Sequence, residues 1–290
     1  MPPSKRFAMK VVIRVARPSD KPPLMSFIKD VWGGHDYIPF VWDAWVRDTK
    51  NGTFVIEADG VPVGMNRVRF LEDGSAWLEG ARIHPDYRGN GFASMLGKNS
   101  MRFAKERGIR IFRLTSGSRN KAAHRQIARM QFKEVSRFSV YEPPASYVGG
   151  KGAAQRVTAG EFTKTLDMIR KSREYSLGTS VIWHDFTATS LSPNVVRALI
   201  EEGAVWRNGS AVAVTRVGGE GPAMWEEVCF VGGPPLDALG LVKNRVGRLR
   251  RATERWVFIP QGSPLIHSLR REGFGRNFAM ILFERRAVKG

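Results

Sequence analysis

A single cysteine, Cys229, in a chain of 290 residues excludes an internal disulfide and makes a reducing compartment the natural setting. No uncharged apolar run approaches the roughly 18 residues needed to cross a bilayer. The basic N-terminus, Met1 to Ala16, is interrupted by Lys10 and Arg14 and reads as a strand, not a signal peptide. A cytoplasmic protein with no membrane partner is the expectation. Acidic residues are scarce: 27 against 46 lysines and arginines, 32 of them arginine, for a net charge of +19. That field favours anionic partners. There is no basic tail, because residues 1–148 carry 25 of the cations and residues 149–290 carry 21. Charge spread in this way is a surface habit more often than a nucleic-acid footprint. A nucleic-acid partner stays open but is not favoured; the run Lys243–Arg255, with Arg245, Arg248, Arg250 and Arg251, is the feature that motivates it, and those arginines sharing one face would support it.

What is present is ordinary globular composition, 42% hydrophobic and 25% charged, and at roughly 150 residues per domain two domains are expected. Glu142-Pro143-Pro144 followed by Gly149-Gly150-Lys151-Gly152 marks a connection, which divides the chain into residues 1–148 and 149–290. The first segment alternates strand and helix patterns. Val11–Ala16 is a strand, and Leu24, Phe27, Ile28 and Val31 recur at helical spacing. Thr53–Ala58 and Val61–Phe70 form a hairpin around Asp59-Gly60. Strand Ala76–Ile83, helix Phe92–Arg107 ending at Gly108, strand Ile109–Leu114, helix Lys121–Met130 and strand Phe132–Tyr141 follow. An α/β fold with a mixed sheet results. The second segment echoes this order. It has a hairpin around Asn208-Gly209, strand Met224–Val231, a basic helix Leu236–Arg255, strand Trp256–Ile259, helix Pro264–Glu272 and strand Phe274–Glu284. Arg270-Arg271-Glu272-Gly273-Phe274 stands where Arg129-Met130-Gln131-Phe132 stands in the first segment, which suggests a tandem duplication.

The segment richest in chemistry is Ile83-His84-Pro85-Asp86-Tyr87-Arg88-Gly89-Asn90-Gly91-Phe92-Ala93, joining a strand to an amphipathic helix. A glycine turn opening a helix presents unpaired N–H groups and the positive end of the dipole, an anion site suited to a pyrophosphate. Arg88 adds a charge-assisted donor. The same glycines also serve a plain tight turn. The segment is neither a Walker loop, lacking the Gly-Lys-Ser/Thr ending, nor a dinucleotide fingerprint, whose third glycine is misplaced.

Arg88-Gly89-Asn90-Gly91-Phe92-Ala93 resembles the R/Q-x-x-G-x-G/A signature of the GNAT N-acetyltransferase superfamily. Asn120-Lys121-Ala122-Ala123-His124-Arg125 with Phe132 is similar to that family's N-x-P-A-H-R helix at the expected distance. The resemblance spans residues 11–141. It implies a GNAT fold and acetyl transfer from acetyl-CoA to a primary amine, with no metal. The pyrophosphate would rest on the N–H groups of Gly89 through Ala93 and on Arg88. The pantetheine arm would pair with the strand backbone at Ala81, Arg82 and Ile83, and Asn120 would contact the pantetheine or the thioester region. Two positions depart from the pattern: Ile127 replaces the tyrosine that protonates the departing thiolate, and Gln131 replaces a glycine. His124, one turn before Ile127, is a candidate acid or a structural histidine. Strand alternation puts Trp77, Glu79 and Ala81 on one face, so Glu79 is a candidate base with a raised pKa. Its other reading is an ion pair with Arg67 or Arg69.

The acceptor region is Trp32-Gly33-Gly34-His35-Asp36-Tyr37-Ile38-Pro39, followed by Trp42 and Trp45, where His35, Asp36 and Tyr37 could hold a small polar amine or simply pack. Loop and tandem order resemble the two-domain GNAT enzymes similar to vertebrate histidine N-acetyltransferase, which favours a free amino acid. A free α-amine titrates near 7.7–8.0 against about 10.4 for lysine, so it reaches its reactive neutral form more easily. Alternatives are a protein N-terminus or lysine as acceptor, a nucleic-acid-binding protein on the same scaffold, and a sensor that binds without turnover. The second segment has Val231-Gly232-Gly233-Pro234-Pro235-Leu236 in place of the glycine turn, and prolines remove amide donors. It is read as a degenerate GNAT-like half that packs on the first and closes its acceptor site. Cys229, inside a strand, is read as a core thiol.

Overall fold

The computed structural model describes residues 9–150, 153–220, 223–248 and 252–287. The first half runs β1 (Val11–Val15), α1 (Lys21–Ile28), α2 (Ile38–Arg47), β2 (Gly52–Ala58), β3 (Val61–Phe70), β4 (Ala76–Ile83), α3 (Phe92–Lys105), β5 (Ile111–Gly117), α4 (Lys121–Arg129) and β6 (Lys133–Glu142). The second runs β7 (Gln155–Arg156), α5 (Phe162–Lys171), α6 (Arg173–Leu177), β8 (Val181–His184), β9 (Thr187–Ser190), α7 (Pro193–Glu201), β10 (Val205–Asn208), β11 (Ala211–Glu220), β12 (Ala223–Gly232), α8 (Pro235–Arg245), β13 (Glu254–Pro260), α9 (Leu265–Arg271) and β14 (Gly275–Arg286). The Asp59-Gly60 turn has both residues at positive φ, 51° and 85°, as a two-residue hairpin requires.

Twelve strands form one sheet in the order β1-β2-β3-β4-β5-β14-β6-β13-β12-β11-β10-β7. Its two halves mirror each other except at the centre, where each half's last strand has crossed to the other. β14 pairs with β5 from Met280 opposite Gly117 to Arg286 opposite Ile111, and β6 pairs with β13 from Val257 opposite Tyr141 to Pro260 opposite Phe138. The two exchanged strands then pair with each other. The proposed repeat at the turns before them is present in the backbone: Gln131 and Gly273 both take positive φ, 64° and 82°, and the phenylalanines that follow are buried.

Helices cover both faces. α1 and α2 bury Leu24, Ile28, Ile38 and Trp42 against Val55 and Met65, while α3 and α4 bury Leu96, Met101 and Ile127 against Ile56, Val68 and Phe112. In the second half α5 and α7 pack over Val212, Val214 and Cys229, and α8 and α9 over Ala213, Val228 and Val231. Cys229 is buried, and that burial holds its thiol pKa well above the usual value. Two expectations change. The basic helix ends at Arg245, where extended Val246 and Gly247 at φ +85° stop it; Arg248 therefore lies beyond the helix, and Arg250 and Arg251 lie outside the described residues. The stretch between residues 157 and 203 also holds three helices and the separate β8-β9 hairpin. Among the described residues no helix is long and apolar enough to cross a membrane.

Candidate functional site

β4 and β5 run parallel but pair only at Ala76 with Phe112 and Trp77 with Arg113. Past Trp77 they separate. The edge of β4 facing β5 is then open along its C-terminal half, and the openings of α3 and α4 lie at the same end of the sheet. In open α/β sheets ligand crevices form outside the carboxyl ends of parallel strands, and a free strand edge can take an extended chain as an added strand. Ala81, Arg82 and Ile83 lie on this edge.

The turn after β4 is built as an anion cradle. Gly89 and Gly91 take φ of 88° and 80°, with open space where each side chain would be. Only glycine adopts this conformation cheaply, and successive amides in it point their N–H groups into one concavity. Among the described residues nothing accepts a hydrogen bond from the N–H groups of Gly89, Asn90, Gly91, Phe92 or Ala93. The first turn of α3 adds its dipole. Arg88 is exposed at the entrance, its Nε donating to the Ile83 carbonyl at 3.3 Å.

On the neighbouring face sits Glu79, its side chain 14% exposed. Both readings of this residue hold at once. Arg67 Nε lies 3.4 Å from one carboxylate oxygen and Arg69 Nη2 3.3 Å from the other, yet burial outweighs the two cations and raises the pKa. The alternation that would put Ala81 beside Glu79 is broken. A bulge at Gly80, with φ +66°, sets Arg82 opposite Met65 while Glu79 stays opposite Arg67, so Arg82 and not Ala81 shares the face of Glu79. Gly80 is required here by contact as well, since a side chain would meet the Trp45 ring at 2.8 Å. Bulges of this kind re-aim side chains beside functional sites.

The predicted acceptor residues divide. Asp36 is buried, accepting from Ile38 N at 3.0 Å and from Arg82 Nε at 2.6 Å, which ties the loop to the end of β4. Tyr37 stands between Arg82, 5.8 Å from its ring, and Trp45, also 5.8 Å away. His35 is exposed. Asn120 is the N-cap of α4, and His124 lies in its first turn. Asn120 Oδ1 caps the helix by accepting from Ala123 N at 3.1 Å, and His124 Nε2 bonds the Gly117 carbonyl at 3.0 Å. Those contacts are structural ones. Ile127 is a core residue, and Gln131 holds the left-handed conformation a glycine would take.

The second half reaches into this site. Thr187 Oγ1 accepts from Arg69 Nη2, and Trp183 packs edge-on against Trp77 at 6.2 Å. Arg113 donates to Asp73 at 2.7 Å, Glu284 at 2.9 Å and Ser190 Oγ at 2.9 Å, while Ser190 N donates to Asp73 at 2.7 Å. The β8-β9 hairpin is thereby fastened over the Trp77 and Glu79 face. The sequence reading missed a counterpart in the second half: Trp225-Glu226-Glu227 repeats Trp77-Leu78-Glu79, and Glu227 stands opposite Arg216 as Glu79 stands opposite Arg67. The shared Trp-x-Glu spacing was the available signal. Burial raises the pKa of Glu227 also, but its partner is His184 Nδ1 at 2.7 Å.

The model of the acetyltransferase (GNAT) family matches residues 21–132. The chain is similar to the histidine N-acetyltransferase of Oreochromis niloticus, 31% identical over 104 residues that make up 35% of this chain and 31% of that protein. It is also similar to the histidine N-acetyltransferase of Xenopus tropicalis, 30% identical over 32% of this chain and 29% of that protein. It thus spans about a third of the length of these curated relatives. A GCN5-related N-acetyltransferase from Sphaerobacter thermophilus shares the fold across 97% of this chain and 96% of its own, with a TM-score of 0.65 at 13% identity. Residues 21–132 thus match the acetyltransferase (GNAT) family, in a chain whose whole fold is shared with the Sphaerobacter thermophilus protein.

Proposed function

We propose that the protein transfers the acetyl group of acetyl-CoA to the α-amine of a small molecule, a free amino acid being the best-supported class. The carrying observation is the conjunction at the end of β4 of an open strand edge, a turn with unclaimed N–H groups and a buried carboxylate of raised pKa. The pyrophosphate would rest on Gly89 through Ala93 with Arg88, and the pantetheine amides along Ala81, Arg82 and Ile83. Acetyl-CoA supplies an activated acyl carbon: as the amine nitrogen bonds to it, the carbon–sulfur bond breaks and the electron pair leaves with the thiolate.

Glu79, through a water, takes the proton the amine loses. Its raised pKa suits it to that task near neutral pH. A thiolate released near the cysteine range of about 8.5 can take its proton from solvent, so the core position of Ile127 does not forbid turnover. His124 and Asn120 then act by holding the turn between β5 and α4. Buried Arg69 Nε, with no hydrogen-bond partner, supports an acceptor bearing a carboxylate. Names of relatives that include histidine point the same way. Asp36 and Tyr37 would shape the amine's surroundings through Arg82 and Trp45.

The test is release of free CoA thiol from acetyl-CoA with a panel of free amino acids, their amides and N-terminal peptides. Turnover with free amino acids that falls at least tenfold with the matching amides supports the reading. Equal turnover with amides or peptides overturns the amino-acid class, and no turnover with any amine despite acetyl-CoA binding overturns acetyl transfer.

A further inference from the structure

Beneath the C-terminal end of α8, outside the site above, lies a cavity of about 320 Å³ walled by Arg156, Trp206, Thr215, Glu226, Arg245 and Val246. That is the lower range of small-molecule pockets. At the like place in the first half, beneath the last turn of α3, the space is filled by aromatic rings: Phe103 packs on Phe54 at 5.2 Å and on Phe70 at 6.0 Å. The Arg245 guanidinium lies 3.5 Å from the Trp206 ring centre and that of Arg156 5.1 Å from it, with the indole fixed by its Nε1 donating to Thr215 Oγ1 at 3.1 Å.

The carboxylates around the cavity are spoken for. Glu202 pairs with Arg216 at 2.6 Å, Glu226 accepts from Gly247 N at 2.7 Å and lies 3.4 Å from Arg255, and Glu227 holds His184. Among the described residues no carboxylate lies within ion-pair distance of Arg156 or Arg245. Arg245 Nε is buried with no hydrogen-bond partner. Burial, with Arg248 and Arg156 nearby, holds its pKa below the usual arginine value against the opposing pull of Glu226. A buried N–H donor without an acceptor is costly, and an oxyanion in the cavity would supply one.

We propose that this cavity binds a small oxyanion, a carboxylate or phosphate carried on a compact molecule, held by Arg245 and Arg156 against Trp206. Planar guanidinium groups suit either oxyanion by paired N–H donors. The test is calorimetric titration of the whole chain, at low ionic strength, with inorganic phosphate and separately with citrate, chloride serving as the control. One saturable site per chain is expected for at least one of the two anions, weakened at least tenfold in both Arg245→Gln and Arg156→Gln. The tighter of the two probes assigns the class, phosphate or carboxylate. Arg129→Gln, in the separate basic cleft of Lys98, Arg102 and Arg285, leaves that binding unchanged. Arg245→Gln should lose the anion-dependent rise in melting temperature that the parent shows. No saturable binding of either anion, binding unchanged in both cavity variants, or binding lost only in Arg129→Gln overturns the proposal.

Discussion

At the end of β4 the chain leaves its amide donors open, whereas at the end of β12 it covers them. The first turn has Gly89 and Gly91 with free space around them. Its counterpart has Pro234 and Pro235 at the opening of α8, neither with an N–H to give, and Gly233 N faces the buried carboxylate of Glu174 at 3.4 Å. That carboxylate is fixed from its other oxygen by Ser263 Oγ at 2.7 Å. The parallel strands differ too: β4 and β5 part after Trp77, while β12 and β13 stay paired from Trp225 to Val228. One duplicated frame thus carries an open anion cradle at one end and an internally neutralised one at the other. Ligand capacity here depends on a few turn residues and on strand divergence, with the architecture held constant.

The comparison can be broken most severely at the paired glutamates. Glu79→Gln should lower kcat for acetyl transfer by roughly 10²–10⁴ with acetyl-CoA affinity nearly unchanged, as read by steady-state kinetics beside calorimetry. Arg88→Ala, at the open turn, should weaken acetyl-CoA binding by about tenfold or more, the worth of a charge-assisted contact. A smaller effect sharpens the role of the neighbouring cations. Burial raises the Glu79 pKa and Arg69 opposes it, so Arg69→Gln should raise it further and move the acidic limb of kcat/KM to higher pH. Thr187→Val, which frees Arg69 from the hairpin, should move that limb less, and a limb that stays fixed in both would remove Glu79 as the base. The smallest concerns the fastening of the hairpin. Asp73 is held at a pKa of about 2, its hydrogen bonds to Ser75, Ser190 and Arg113 overcoming burial. Its ordinary value is about 3.9, so its stabilisation is full above that and fades as pH falls toward 2. Asp73→Asn should cost ~1–3 kcal/mol at pH 7 and converge with the parent near pH 2 in denaturant titrations.

Much of the fold was legible because the signals are local. Asp59-Gly60 closes one hairpin, and Gly209-Ser210 closes another one residue on from the Asn208-Gly209 signal, while Gly108 stops α3 and the Arg88 to Ala93 turn opens it. The exchange of β6 and β14 was not legible, because each strand carries a pattern equally suited to either half and its partners lie more than a hundred residues away. The Gly80 bulge was hidden for a related reason: one glycine in a strand does not reveal whether a ring packs on it. The β8-β9 hairpin turns at Asp185-Phe186, both at positive φ without a glycine, so no turn signal announced it. The extent of the basic helix was overread because cations continue past Val246 after the backbone has left the helix.

Of the two counterpart turns, after β4 and after β12, only the one after β4 is an open cradle. Calorimetric titration of acetyl-CoA into the whole chain and into Gly91→Pro tests it directly, since proline cannot take φ +80°. One site per chain, lost in Gly91→Pro while the melting temperature stays within a few degrees, is the predicted result. Two sites per chain, or one site that survives Gly91→Pro, would contradict it.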